Sequence, residues 1–96
     1  MRTIHEIRNV LGNYRNHLFQ SYPIKSLAIF GSYSREESTE DSDLDILVEF
    51  DGKIGIRFID LADELEEIVN MKVDLVSRNG IKEGYLTAIY PDLIYV

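Results

Sequence analysis

The sequence predicts an α+β fold, an α/β sandwich in which helices pack on a small mixed sheet. Apolar residues recur at helical spacing in two long segments, and three short apolar runs end at a glycine, a turn pair or a polar stretch. The resulting order is helix, strand, strand, helix, strand, helix. The chain has 96 residues, 45% hydrophobic and 28% charged, which suits one folded domain over 1–96. Neither an internal repeat nor a Pro/Gly-rich linker divides it.

The first helix is marked by Ile4, Ile7, Leu11, Tyr14 and Leu18, spaced by three and four into one stripe. Thr3, with Glu6 three residues on, is a capping-box pattern at its start. Pro23 closes the connection that follows. Ser26-Leu27-Ala28-Ile29-Phe30, ending at Gly31, reads as a buried strand followed by a sharp turn. Asp43 to Phe50 reads as a second strand with partial alternation, and Asp51-Gly52 as a turn. A second amphipathic helix is expected from Ile56 to Val69, with Ile59, Ala62, Leu65 and Ile68 or Val69 on its apolar face and Asn70 ending it. Lys72 to Ser77 is a third strand, and Asn79-Gly80 a turn. From Ile81 to the C-terminus the chain reads as mainly helical, with Leu86, Ile89 and Leu93 apolar and Pro91 interrupting.

Composition excludes several classes of function. There is no apolar run near the ~18 residues a membrane span needs, so no membrane association is expected. Cysteine is absent, which removes disulfides and thiolate metal sites. With no export signal, the cytoplasm is the expected compartment. Seventeen acidic residues against ten basic give a net charge of −7, so direct nucleic-acid binding is not expected.

The acids cluster: Glu36, Glu37, Glu40, Asp41, Asp43, Asp45, Glu49 and Asp51 lie in one stretch. Such a cluster is either a solvated loop or a set of carboxylates gathered around a divalent cation. Asp43 and Asp45, two apart on a strand, share a face and repel each other unless a cation lies between them. A sheet edge in water would also accommodate them. Asp74 sits in the apolar run Val73-Asp74-Leu75-Val76, where a carboxylate is costly unless compensated or at an edge. If its strand lies beside that of Asp43 and Asp45, three hard oxygen donors meet. Gly31-Ser32, directly after a buried strand, can bring backbone amides and a hydroxyl to phosphate oxygens, although a plain turn uses the same pair. Arg35, one turn on, could close on the same phosphates. Together these residues would form a Mg²⁺ site for phosphoryl or nucleotidyl transfer. An EF-hand beginning at Asp41 fails, because its sixth position is Ile46 rather than glycine and its twelfth is Gly52 rather than glutamate.

Phe30-Gly31-Ser32-Tyr33-Ser34-Arg35, then Ser42-Asp43-Leu44-Asp45-Ile46-Leu47-Val48, resembles the signature of the DNA polymerase beta-like nucleotidyltransferase superfamily. Within it the chain is similar to the minimal nucleotidyltransferases (MNT), antitoxin partners of HEPN-domain toxins. The resemblance covers nearly the whole chain and implies a nucleotidyltransferase core. It implies a two-metal site in which Asp43 and Asp45 hold Mg²⁺ and Asp74 is the third carboxylate, helping to activate the acceptor hydroxyl. Gly31 and Ser32 would bind the phosphates of ATP. The activity it implies is transfer of AMP from ATP to a tyrosine of a cognate HEPN RNase toxin. Family members often have glycine after the arginine, where this chain has Glu36, which bears on the local turn and on phosphate affinity. A binding-only antitoxin that masks its toxin and a small-molecule nucleotidyltransferase are the other functions compatible with the sequence. The intact aspartates favour catalysis over masking. A chain this short offers a small acceptor few walls.

His5 and His17, off the apolar stripe of the first helix, read as surface residues. The six tyrosines read as core or interface residues.

Overall fold

The computed structural model describes residues 2–96. Helix α1 (Ile4–Ser21) leads into strand β1 (Ile24–Phe30), and a single helical turn, α2 (Gly31–Ser34), follows without a break. After the acidic loop come β2 (Leu44–Phe50), α3 (Arg57–Val69) and β3 (Val73–Ser77). Two short 3₁₀ turns, Arg78–Gly80 and Tyr90–Asp92, flank α4 (Glu83–Ile89), and β4 (Ile94–Tyr95) ends the chain. The four strands form one mixed sheet in the order β3-β2-β1-β4. β1 runs antiparallel to β2 and to β4, whereas β2 and β3 are parallel. A parallel pair needs a crossover, and α3 supplies it.

Both faces of the sheet are covered, which explains why β2 is apolar on both sides. Leu44, Ile46, Val48 and Phe50 face one way, with Leu27 and Ile29, and pack on Ile7, Leu11 and Leu18 of α1 and Leu61, Leu65 and Val69 of α3. On the opposite face a smaller cluster joins Phe30 and Leu47 to Leu86 and Ile89 of α4. α1 begins as the capping pattern requires: the Glu6 N–H donates to Thr3 Oγ1 at 3.2 Å. α3 stops at Asn70, whose φ of 55° and ψ of 45° form a left-handed cap.

A four-residue polar clamp docks α3 on the end of α1. The Tyr22 hydroxyl donates to Glu64 Oε2 at 2.7 Å, and the His17 ring meets Glu64 Oε1 at 2.5 Å. Arg57 stacks over the Tyr22 ring at 5.0 Å and donates to the Ser21 carbonyl. The Tyr22 bond holds the Glu64 carboxyl below its usual range, and desolvation followed by that bond pushes Tyr22 up to about 12. His17 is therefore a surface residue with a partner, and His5 is exposed.

Several expectations need correction. Ile59 is not on the buried face of α3: it is 62% exposed, and Leu61 takes that place at 0%. Tyr14 leaves the α1 stripe for solvent. The C-terminal region is mainly helical as expected, through α4 and the 3₁₀ turn Tyr90–Asp92, but it ends in an unexpected strand, β4, at the sheet edge. The strand of Asp74 is an edge strand and Asp74 is exposed, so it is not embedded in the sheet. Only Tyr22 and Tyr33 of the tyrosines are core residues. No described helix is long and apolar enough to cross a membrane.

The exchange of Ile59 for Leu61 has a measurable consequence. Leu65→Ala, which empties a fully buried site, should cost about 3 kcal/mol in urea unfolding. Ile59→Ala should change stability by no more than about 0.5 kcal/mol. Comparable losses for the two would contradict this packing.

Candidate active site

Parallel pairing of β2 and β3 places Asp45 directly opposite Asp74. Side chains at matched positions of adjacent strands share a face, so the two carboxylates stand side by side on the sheet face that carries α4. The cost falls on Asp45, which is partly buried. Desolvation, then the charge and hydrogen bond of Asp74, then the charge of Asp43, raise its pKa from 3.8 to about 6. The nearby Arg35 offsets this only in part. Asp43 is exposed and lies one residue before β2.

β1 brings the phosphate-binding candidates to the same place. Phe30 is the cross-strand partner of Asp45, and Gly31 follows it at φ 76°. A Cβ on Gly31 would overlap Asp45 Oδ2 outright and sit 3.0 Å from its Cγ and 3.3 Å from its Cβ. Glycine is therefore required here twice over, by backbone conformation and by the carboxylate beneath it. Gly31 and Ser32 open α2, whose first-turn amides have no intrahelical acceptor.

Arg35 caps α2 and is exposed. Its Nε donates to Glu37 Oε2 and an Nη to Asp92 Oδ2, both at 3.2 Å, and these bonds raise its pKa. The Ser34 hydroxyl donates to the Asp92 carbonyl. Asp92 thus ties the C-terminal segment to the turn that holds Ser34 and Arg35, and no local pattern in the sequence announced it. Glu36 adopts φ 58°, the left-handed conformation that glycine would take without strain. The turn forms with glutamate in place, at a steric cost of about 1 kcal/mol.

Asp45 and Asp74 are thus brought together beside Gly31, with Asp43 and Arg35 at the margin. Among the described residues, no group of three or more His, Cys, Asp or Glu side chains is arranged to hold a metal ion as it stands. The donor set, all carboxylate oxygen with its charge only partly offset by Arg35, nevertheless fits a hard divalent cation, with Asp45 and Asp74 as the preformed pair. The place is open. A cleft of about 580 Å³ runs beside Asp43, lined by Tyr33, Ser42 and Lys72 among others, but Asp45, Asp74, Gly31 and Ser32 do not line it.

Raising the Asp45 pKa on folding gives a defined sign. Below pH 3.8 the group is protonated in both states and costs nothing, the penalty grows between 3.8 and about 6, and it is complete above that. Without metal, Asp45→Asn should therefore raise stability more at about pH 7.5 than at about pH 4.5. Urea unfolding in a chelator measures this, and a gain that shrinks with rising pH would contradict the pairing. Glu36→Gly should leave stability unchanged or raise it by up to about 1 kcal/mol. A clear loss in thermal unfolding would show that glutamate is not strained there.

Known proteins share this arrangement of elements. The Nucleotidyltransferase domain family profile matches residues 11–94. A Methanocaldococcus jannaschii protein with the provisional name protein adenylyltransferase is 47% identical over 98 residues, covering 100% of both chains. Protein adenylyltransferase MntA of Thermococcus cleftensis is 35% identical over 97 residues, 100% of this chain and 98% of its own. A solved structure provisionally described as a minimal nucleotidyltransferase superposes with a TM-score of 0.72 at 30% identity, covering 94% of this chain and 88% of that one. A chain from the complex of tri-AMPylated Shewanella oneidensis HEPN toxin with MNT antitoxin shares the fold, at TM-score 0.66 and 21% identity over 92% of this chain and 70% of its own. Matched over most of its length by the family profile and over all of it by a relative at 47% identity, the chain belongs to the nucleotidyltransferase family, in its minimal branch.

Proposed function

We propose that the chain is a Mg²⁺-dependent protein adenylyltransferase that moves AMP from ATP onto a tyrosine of a cognate HEPN-domain RNase toxin, acting as its antitoxin in the cytoplasm. Residues 1–96 would work as one catalytic domain. The observation that carries the reading is the in-register pair Asp45 and Asp74 beside Gly31. Two relatives that match this chain along its whole length bear the name protein adenylyltransferase, and one fold neighbour was solved with an AMPylated HEPN toxin.

In this reading Gly31 and Ser32 hold the outer phosphates through the free amides of α2 and the serine hydroxyl. Arg35 adds its guanidinium by exchanging Glu37 or Asp92 for a phosphate oxygen. Asp43 and Asp45 carry the cation, with Asp74 completing the set. When bound, Mg²⁺ supplies charge neutralisation for the entering and leaving oxygens. Asp74 takes the proton of the acceptor tyrosine. The phenolate oxygen then bonds to the α-phosphorus, and the bond to the bridging oxygen breaks as pyrophosphate leaves with its electron pair. Because Asp74 lies exposed on an edge strand, a tyrosine carried by another protein can approach it from solvent.

The test is incubation with ATP, Mg²⁺ and the HEPN protein, followed by intact mass. A small amount of the chain should add AMP to a large excess of toxin, and the toxin should stay silent after separation. Asp45→Asn should abolish transfer. Asp74→Ala should slow it by about 10²–10⁴-fold, the range for a lost general base, with complex formation nearly unchanged. Masking instead requires silencing at a fixed ratio, without ATP and indifferent to Asp74, and that outcome would replace the enzyme with a binding-only antitoxin. Transfer to a small acceptor and never to the toxin would favour a small-molecule nucleotidyltransferase.

A further inference from the structure

We infer that Tyr85 is the platform on which the base of the nucleoside triphosphate stacks. The inference rests on the nucleotide position proposed above and adds the residue that holds the nucleoside end.

α4 lies on the face of the sheet that carries Asp45 and Asp74, with Leu86 and Ile89 turned into the small apolar cluster. Tyr85, one position before Leu86, is rotated about 100° from it around the helix and is 52% exposed. Its ring meets the Phe30 ring edge-on, with centroids 6.5 Å apart and planes at 83°. Phe30 is itself only 3% exposed, so the tyrosine rests against a packed neighbour of the small apolar cluster. Phe30 is also the cross-strand partner of Asp45 and the residue before Gly31. Tyr85 is thereby fixed one side chain away from both the carboxylates and the phosphate turn.

A nucleotide with its outer phosphates on Gly31 and Ser32 and its α-phosphorus at Asp45 must place its base one ribose further on. An exposed aromatic face at that remove binds a base through stacking, which needs no hydrogen-bond partner. Tyr14, Tyr90 and Tyr95 are exposed as well, but of the exposed tyrosines the aromatic pair joins only Tyr85 to a residue flanking the site. Stacking reads the π-face of a base and not its edge, so Tyr85 should favour purines over pyrimidines without separating adenine from guanine.

The experiment compares binding of ATP and of inorganic triphosphate to the full chain, each with Mg²⁺, by titration calorimetry. Tyr85→Ala should weaken ATP and GTP about tenfold and leave inorganic triphosphate unchanged, whereas Tyr85→Phe should bind all three like the parent. The chain contains no tryptophan, so Tyr85→Trp introduces a single indole. Its fluorescence should be quenched by ATP and not by triphosphate, which decides the matter even where the alanine variant folds poorly. Equal losses for ATP and triphosphate, no loss for either, or an indole blind to ATP would overturn the role of Tyr85. If Tyr85 discriminates ATP from triphosphate while no AMP reaches any protein, the transfer reading falls and the base platform stands. If AMP transfer and ATP binding are both untouched in Tyr85→Ala, the reverse holds.

Discussion

The structure is organised around two like charges held side by side. Asp45 and Asp74 face each other only because β2 and β3 run parallel in one fixed register. That register depends on elements far from the carboxylates. α3 must cross back over the sheet, which it does by packing Leu61, Leu65 and Val69 into the core shared with α1. Its left-handed cap at Asn70 turns the chain toward β3, and the Glu66 carboxylate accepts the Val73 N–H at 2.9 Å. The Leu44 N–H then donates to the Lys72 carbonyl, setting where the pair begins. A slip of one residue would turn Asp74 into the apolar core and Val73 out of it, so the burial of one face enforces the repulsion on the other.

The second half of the site depends on close approach. β1 is central and antiparallel to β2, so its end lies over the start of β2, where Asp45 is found. Gly31 can enter the left-handed region there without meeting the carboxylate, and α2 starts at once with its amides beside the acids. Negative charge would otherwise dominate this corner. Arg35 is the cation that Asp45 senses, and it is shared with Glu37 and Asp92. On the proposed reading, an incoming phosphate would compete for a guanidinium that Glu37 and Asp92 already hold in place. Because Asp92 lies just before β4, the C-terminal strand and the turn at Ser34 and Arg35 are anchored to each other.

What the sequence made legible follows from range. The helices, the three main strands and the end of α3 at Asn70 are written in local spacing and caps, and the structure contains them. The pairing of Asp45 with Asp74 was open to inference, because their spacing and apolar neighbours were unusual for solvent-facing strands. Strand order was not legible: a run such as Val73-Asp74-Leu75-Val76 looks the same in a sheet centre and at a covered edge. The face of α3 was ambiguous because Ile59 and Leu61 both continue a stripe through Leu65 or Ala62, and contact with α1 chooses Leu61. β4 is two residues long and exists only through β1, and the Arg35–Asp92 contact spans 57 positions. None of these leaves a periodic trace.

The openness of the site is itself informative about what completes it. The Asp45–Asp74 pair lies at the margin of the sheet, outside the cleft that Asp43, Tyr33 and Lys72 line, and is open to water on the side of the exposed Asp74. Phosphoryl transfer nonetheless gains from a low-dielectric surrounding, where oriented charges act more strongly. A small acceptor would leave Asp74 as exposed as it is in the structure. A folded acceptor laid across the edge strand and the N-terminal end of α4 would cover the carboxylates in the act of presenting its hydroxyl. On the proposed reading, the partner that is modified also supplies the missing wall, and the exposure of Asp74 is the opening through which it does so.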